Sequence, residues 1–214
     1  MIPHYFAMDD DQAREFVAAQ AAGTLVTSRP DGSFDTTFLP IIWDGDVIRM
    51  HMGRANEQWS AGDFPRPAIL VFTGAHGYVS AADYDLPEGM VAASTWDYTQ
   101  VTLHGELAVA NDSEVAREYA LELSYHHERE IAEGLTDDYL RRASRAIIAV
   151  TFTVERIEGV AKLSQNKLPH ERERIVKRLR SSGCPAHADL AEDIAAAPSK
   201  ARRKPFLGPL KSAH

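Results

Sequence analysis

The sequence predicts a mainly β protein, an antiparallel barrel with α-helices inserted between its strands and appended after them. Two observations lead there. Apolar and polar residues alternate with a period of two through most of the chain, and Pro-Asp-Gly and Asp-Gly-Asp signals punctuate the runs. Helical spacing is confined to the N-terminus, to stretches between strands and to the region after Gln165. A length of 214 residues suits one good-sized domain, with or without a modest appendage.

Taken in order, "MDDDQAREFVAAQAAG" reads as a short helix capped by Asp9 or Asp10. Phe16, Val17 and Ala21 sit at helical spacing, and Gly23 is its expected stop. "TLVTS" is a strand, "RPDGS" a tight turn, and "FDTTFLPIIW" a second strand that Pro40 interrupts, as at an edge or a bulge. "DGD" then turns the chain into "VIRMHM", whose alternation sets Val47, Arg49 and His51 against Ile48, Met50 and Met52. The expectation is a helix followed by a three-strand meander. "ANEQWSAG" gives one or two helical turns, "PAILVFTGAHGYVS" the central strand of the sheet, and "AADYDLPEGMVAA" a loop.

"STWDYTQVTLHGELAVA" returns to strand character, with Tyr98, Gln100, Thr102 and His104 opposite Thr99, Val101 and Leu103. The capping pattern in "NDSEVAREYALEL" opens a helix from Asp112 to about Glu130, and "DDYLRRASR" makes a shorter one. "AIIAVTFTVERIEGVAKLS" is a last strand pair or one long bent strand. Beyond it, "HERERIVKRLRSSG" and "AHADLAEDIAAA" are helices. The end "PSKARRKPFLGPLKSAH" carries Lys200, Arg202, Arg203, Lys204 and Lys211 with no acid, and reads as a solvated tail, with a nucleic-acid or membrane contact as the alternative.

Composition narrows the function classes. A net charge of −8 is the wrong sign for a protein that works by neutralising nucleic-acid phosphates, so small molecules are the expected partners. No apolar run approaches the ~20 residues that span a bilayer, and the start lacks a basic segment followed by an apolar core. One cysteine, Cys184, excludes an intrachain disulfide and any multi-cysteine metal site, and the cytoplasm is the expected setting. Glycine-rich phosphate loops, a GxSxG elbow and HExxH are absent from the sequence, and no helix pair reads as helix-turn-helix.

Five stretches carry a resemblance. "IPHYFAMDD", "HMGRANEQW", "HGYVSA", "TWDY" and "KLSQNK" resemble, in order and spacing, the PaiB-like family of split-barrel proteins related to the FMN-binding oxidoreductases. The likeness covers roughly residues 1 to 195. It implies a six-stranded split β-barrel, a homodimer and cofactor sites at the dimer interface. Members are described as FMN-binding negative transcriptional regulators, and one branch comprises haem-dependent piperazate synthases, which close N5-hydroxyornithine into a ring by forming an N–N bond. On this basis residues 1–167 are the cofactor-binding barrel, 168–197 C-terminal helices packed on it, and 198–214 the basic tail. The chain also departs from the pattern: "AADYDLPEGM" stands where a Trp-Tyr-Pro-Ser-Lys-like segment is usual, and "AASTWDY" where Val-Pro-Thr-Trp-Asn-Tyr is usual.

The candidate residues follow. His51 by itself is a solvent-facing strand end; the resemblance makes it the iron ligand of haem b, with Met50 and Met52 supplying apolar surroundings. Arg54 suits a flavin phosphate or a haem propionate, or else a surface salt bridge, and Asn56 either joins it or caps the following turn. Trp59 and Trp96 are core or interface aromatics, or stack on a flat cofactor. In "KLSQNK", Lys162 and Lys167 are the candidate catalytic lysines, and Gln165 and Asn166 the cofactor-binding amides. His126 and His127 read as surface residues. The two function readings are a haem b enzyme acting on an amino-acid derivative, with FMN as the alternative cofactor, and an FMN-binding regulator.

Overall fold

A computed structural model describes residues 4–200, in which one seven-stranded antiparallel sheet is accompanied by six helices. The first helix, α1 (Asp10–Gln20), begins where the sequence places it: the Asp9 carboxylate accepts from Gln12 N at 2.9 Å and the Gln12 side chain accepts from Asp9 N at 3.1 Å. Its stop is Ala21, at φ 55°, and not Gly23. Gly23 lies inside β1 (Ala22–Ser28), where a Cβ would meet the Phe72 ring at 2.5 Å; its value is close approach, not helix termination.

β1 pairs with β2 (Phe34–Pro40) from Ala22↔Pro40 to Ser28↔Phe34, and β3 (Ile42–Asp44) pairs with β4 (Val47–Gly53). The strand order is β2-β1-β5-β6-β7-β4-β3, with β5 Arg66–Val79, β6 Thr95–Ala110 and β7 Ile147–Lys162. The expected three-strand meander forms as two hairpins on a bent middle strand: β1 pairs with β2, and β3 pairs with β4, whose other neighbour is β7. Ile41 N adds one more in-register bond, to Ala21 O at 2.9 Å, where the pairing of β2 with β1 reaches the end of α1. β2 and β3 thus stand at opposite ends of the order although Ile41 alone separates them, so the sheet curls until its ends share one chain. Counting them as one bent strand gives six. β6, not β5, is the middle strand.

The chain divides into two units. One comprises Met8–Thr73 and Gln100–Gly159, and its core gathers Leu25, Ile48, Met50, Phe72, Leu103 and Phe152 with Val17 of α1. Here α2 (Ser113–His127) is capped by Asp112 and ends short of Glu130, because Glu128 at φ −153°, ψ 81° leaves the helical region; α3 (Arg129–Gly134) and α4 (Asp137–Ala143) follow. The other unit contains, of the described residues, 4–7, Gly74–Thr99 and 160–200, with α5 (Pro169–Arg180) and α6 (Pro185–Ala196). Its core joins Val79, Leu163, Ile175, Leu179, Leu190 and Ile194. Residues 198–200 are held too, through Lys200 N to Gln165 O at 2.8 Å and Lys200 Nζ to Tyr5 O at 3.1 Å; Arg202, Arg203, Lys204 and Lys211 lie outside the described residues. Among the described residues no helix is long and apolar enough to cross a membrane.

Gly105 of β6 shows how tightly the barrel strands meet, since a Cβ there would stand 1.9 Å from Thr153 O. Gly105→Ala is expected to destabilise the fold by about 3 kcal/mol, read as a lowered denaturant midpoint. Gly134→Ala, with nothing within 4 Å of the new carbon, should stay close to wild type.

Candidate functional site

His51 lies on the face of β4 that carries Val47 and Arg49. Cross-strand pairing sets Arg49 opposite Thr151 and His51 opposite Ala149 on β7. The same face receives α2: the Arg49 guanidinium grips Glu122 through Nε and Nη2 at 2.7 and 2.6 Å, and the Tyr119 hydroxyl meets Thr151 Oγ1 at 2.9 Å. Met50 and Met52 do not surround the imidazole, because strand alternation buries both in the core on the opposite face. His51 is half-buried, its Nδ1 is enclosed with no hydrogen-bond partner, and burial pushes its pKa below the usual histidine value. The ring is therefore neutral at pH 7, the form that ligates metals.

Arg54, Asn56 and Trp59 come together just beyond His51. The Arg54 guanidinium donates to Arg145 O at 2.8 Å, Asn111 Oδ1 at 2.6 Å and Ile147 O at 3.4 Å, while Arg54 N donates to Ala146 O at 2.8 Å. This fork binds backbone at the entry to β7. Trp59 Nε1 returns to Arg54 O at 2.9 Å. Asn56 caps the 3-10 turn Glu57–Ser60 by accepting from Gln58 N at 2.9 Å, and its amide donates to Thr37 Oγ1 at 2.7 Å. All three side chains have internal work, holding the corner from which His51 projects.

The remaining candidates lie in the other unit, where "TWDY" and "KLSQNK" meet. Lys162, at the end of β7, donates to Thr95 Oγ1 and to Trp96 O, and its Nζ stands 3.5 Å from Asp97 Oδ1. Asp97 is 1% exposed, and its Oδ2 accepts from Ser164 Oγ at 2.5 Å. Ser164 is buried at φ 54°, a left-handed backbone that a residue with a Cβ adopts at a cost of about 1–3 kcal/mol. Burial raises the Asp97 pKa, against the pull of Ser164 and Lys162. Gln165 is structural glue, accepting from Leu163 N at 2.8 Å and donating to Ala161 O at 2.6 Å. Asn166 is exposed in the turn, and Lys167 Nζ lies 3.3 Å from the centre of the Tyr84 ring, whose hydroxyl is pushed up to about 12 mainly by burial. Trp96 is 51% exposed and donates through Nε1 to His76 Nδ1 at 3.3 Å.

Asp97 and Ser164 were not among the residues expected to act, although both lie in stretches that carry the resemblance. Their signal was the aspartate in "TWDY", which becomes meaningful only once folding brings Lys162 to it. Lys162→Met leaves the buried Asp97 without its counter-charge and is expected to cost about 3 kcal/mol at pH 7. Over half should return in the double variant with Asp97→Asn, measured by a double-mutant cycle. Because the folded carboxyl keeps its proton to higher pH than the unfolded one, its contribution to stability falls as pH rises above about 4 and then levels off. Asp97→Asn should remove that component from the pH–stability profile.

Residues 1–156 match the family described as "Putative FMN-binding domain". Over 200 residues the chain is 26% identical to the protease synthase and sporulation protein PAI 2 of Bacillus subtilis, covering 89% of this chain and 94% of that protein. Among solved structures it resembles the flavocytochrome Anf3 from Azotobacter vinelandii, at TM-score 0.58 and 15% identity over 74% of this chain and 70% of that one. It also resembles the FAD and haem binding protein from Mycobacterium smegmatis, at TM-score 0.54 and 17% identity over 72% and 71%. Identities this low speak for the fold alone, a split barrel. With the family match spanning α1 and nearly all of the barrel strands, the chain belongs to the FMN-binding domain family.

Proposed function

We propose that this protein is a haem b-dependent enzyme of the piperazate-synthase type, acting on an amino-acid-derived hydroxylamine such as N5-hydroxyornithine, with His51 as the iron ligand. The observation that carries the reading is the half-buried imidazole, kept neutral by desolvation and with no hydrogen-bond partner at Nδ1. It is supported by two similar structures, one described as a flavocytochrome and one as binding FAD and haem. Bound haem would supply a Lewis-acidic iron able to weaken an N–O bond. Arg54 and Trp59 hold the backbone beside His51 and so fix where its ring points. The two candidate lysines have partners within their own unit: Lys162 secures Trp96 and balances Asp97, and Lys167 lies over the Tyr84 ring. Phe34 and Phe38, each 71% exposed on β2, suit burial against a second copy of the chain, in keeping with a homodimer.

The second reading, an FMN-binding negative transcriptional regulator, is favoured by the family match and by the likeness to PAI 2 along nearly the whole chain. The arginines of α5 weigh against DNA contact through that helix. Arg172 caps Ile194 O and Ala197 O, Arg174 and Arg178 bind Asp85 and Asp83, and Arg180 binds Glu192.

Absorption spectra of protein expressed with haem precursor and riboflavin available separate the two. The enzyme reading expects one intense Soret band that His51→Ala shifts or abolishes, and consumption of N5-hydroxyornithine by the wild type alone. A flavin spectrum indifferent to that substitution would favour the regulator.

A further inference from the structure

α2 is joined to the barrel differently from α1. Of its fifteen residues Ala116 alone is fully buried, and among the described residues none of α2 belongs to the barrel's core. α1, by contrast, sends Ala13 and Val17 into that core. On α2 the apolar side chains of Val115, Leu121 and Leu123 stay partly exposed.

What attaches α2 is polar. The Arg49 guanidinium holds Glu122, with Asp44 3.6 Å from the same cation. The Tyr119 hydroxyl meets Thr151 of β7 at 2.9 Å. Arg54 holds Asn111, next to the Asp112 cap, at 2.6 Å. An element with few buried apolar contacts, held by partly exposed polar ones, opens locally at small cost.

The same contacts place α2 over His51. From Arg49 to Arg54 is five residues of chain along β4, and from Asn111 to Glu122 eleven along α2. At strand and helix rise each span is about 16 Å. α2 therefore lies along β4 in the opposite direction, and His51, between the two arginines, falls beneath it. Ala116 is one turn before Tyr119 on the same helix face, near that level. Its methyl group leaves room below for an imidazole whose Nδ1 is enclosed without a partner.

We propose that α2 is an opening cover over His51. It swings out on the tether of Asn111 to Arg54, parting Glu122 from Arg49 and Tyr119 from Thr151 while the barrel stays folded. Closed, it shuts one side of the imidazole; open, it clears the face of β4 and β7 for a ligand. What the opening admits rests on the haem reading above, and the opening itself does not.

The test uses the protein free of haem. Diethyl pyrocarbonate acylates accessible neutral imidazoles, and trypsin then releases Met50–Arg54, in which His51 is the one histidine. Mass spectrometry of that peptide gives the rate at His51. Glu122→Gln is expected to raise it about five-fold, the weight of one partly exposed ion pair. Tyr119→Phe should raise it by a smaller factor. Added salt should speed the wild type and leave Glu122→Gln unchanged. Circular dichroism and melting temperature serve as the folding control and should stay near wild type, since α2 contributes nothing to the core. By hydrogen exchange, the amides of α2 should exchange before those of α1. Two results overturn the cover: equal rates at His51 in the wild type and both folded variants, or α2 amides as slow to exchange as those of α1. A missing Soret band after haem supply would sink the haem reading and leave these rates as they are.

Discussion

The barrel depends on the crossing at Pro40 and Ile41, where the chain leaves one end of the strand order and enters the other. The pairing of β2 with β1 runs to Ala22↔Pro40, and the N–H of Ile41 adds one more in-register bond to Ala21 O, at the junction of α1 and β1. From there Ile42 starts a strand at the other end of the sheet. Ile41 itself is 4% exposed, so the crossing point is packed as well as hydrogen-bonded. A sheet whose two end strands are consecutive in sequence has to close on itself, and this closure sets the interior that Ala13 and Val17 of α1 fill.

Local chemistry made much of this readable in advance. Asp9, Asn56 and Asp112 cap where capping preferences put them, and the alternation of "VIRMHM" separates Ile48, Met50 and Met52, all buried, from Val47, Arg49 and His51. What misled was partnership. A turn signal such as "DGD" marks a hairpin between β3 and β4 correctly, but nothing nearby in sequence says that β4 takes β7, about a hundred residues on, as its other neighbour. Ala21 in a left-handed conformation was hidden for a related reason: glycine is the usual choice there, and a glycine stood two residues away doing something else.

The candidate site was legible as stretches and less so as atoms. "HGYVS", "TWDY" and "KLSQNK" do converge, yet Lys162 reaches Trp96 O and Asp97 rather than standing open, and Gln165 folds back onto its own loop. Residue type announces that a lysine or an amide can bind an anion; only the fold says whether its donors are already taken. His51 is the converse case. Its isolation in sequence made it ordinary, and the want of a partner at Nδ1, together with its burial, makes it conspicuous.

The engagement of Arg54 changes how genetic data on this chain should be interpreted. Its guanidinium reaches Asn111 and the backbone of Arg145 and Ile147, two segments far from it and from each other in sequence. Truncating it loosens the corner from which β7 departs, so an inactive Arg54 variant would look like a lost ligand contact while reporting a displaced His51. In any screen scored on activity alone, loss of this internal engagement and loss of a ligand contact would look the same.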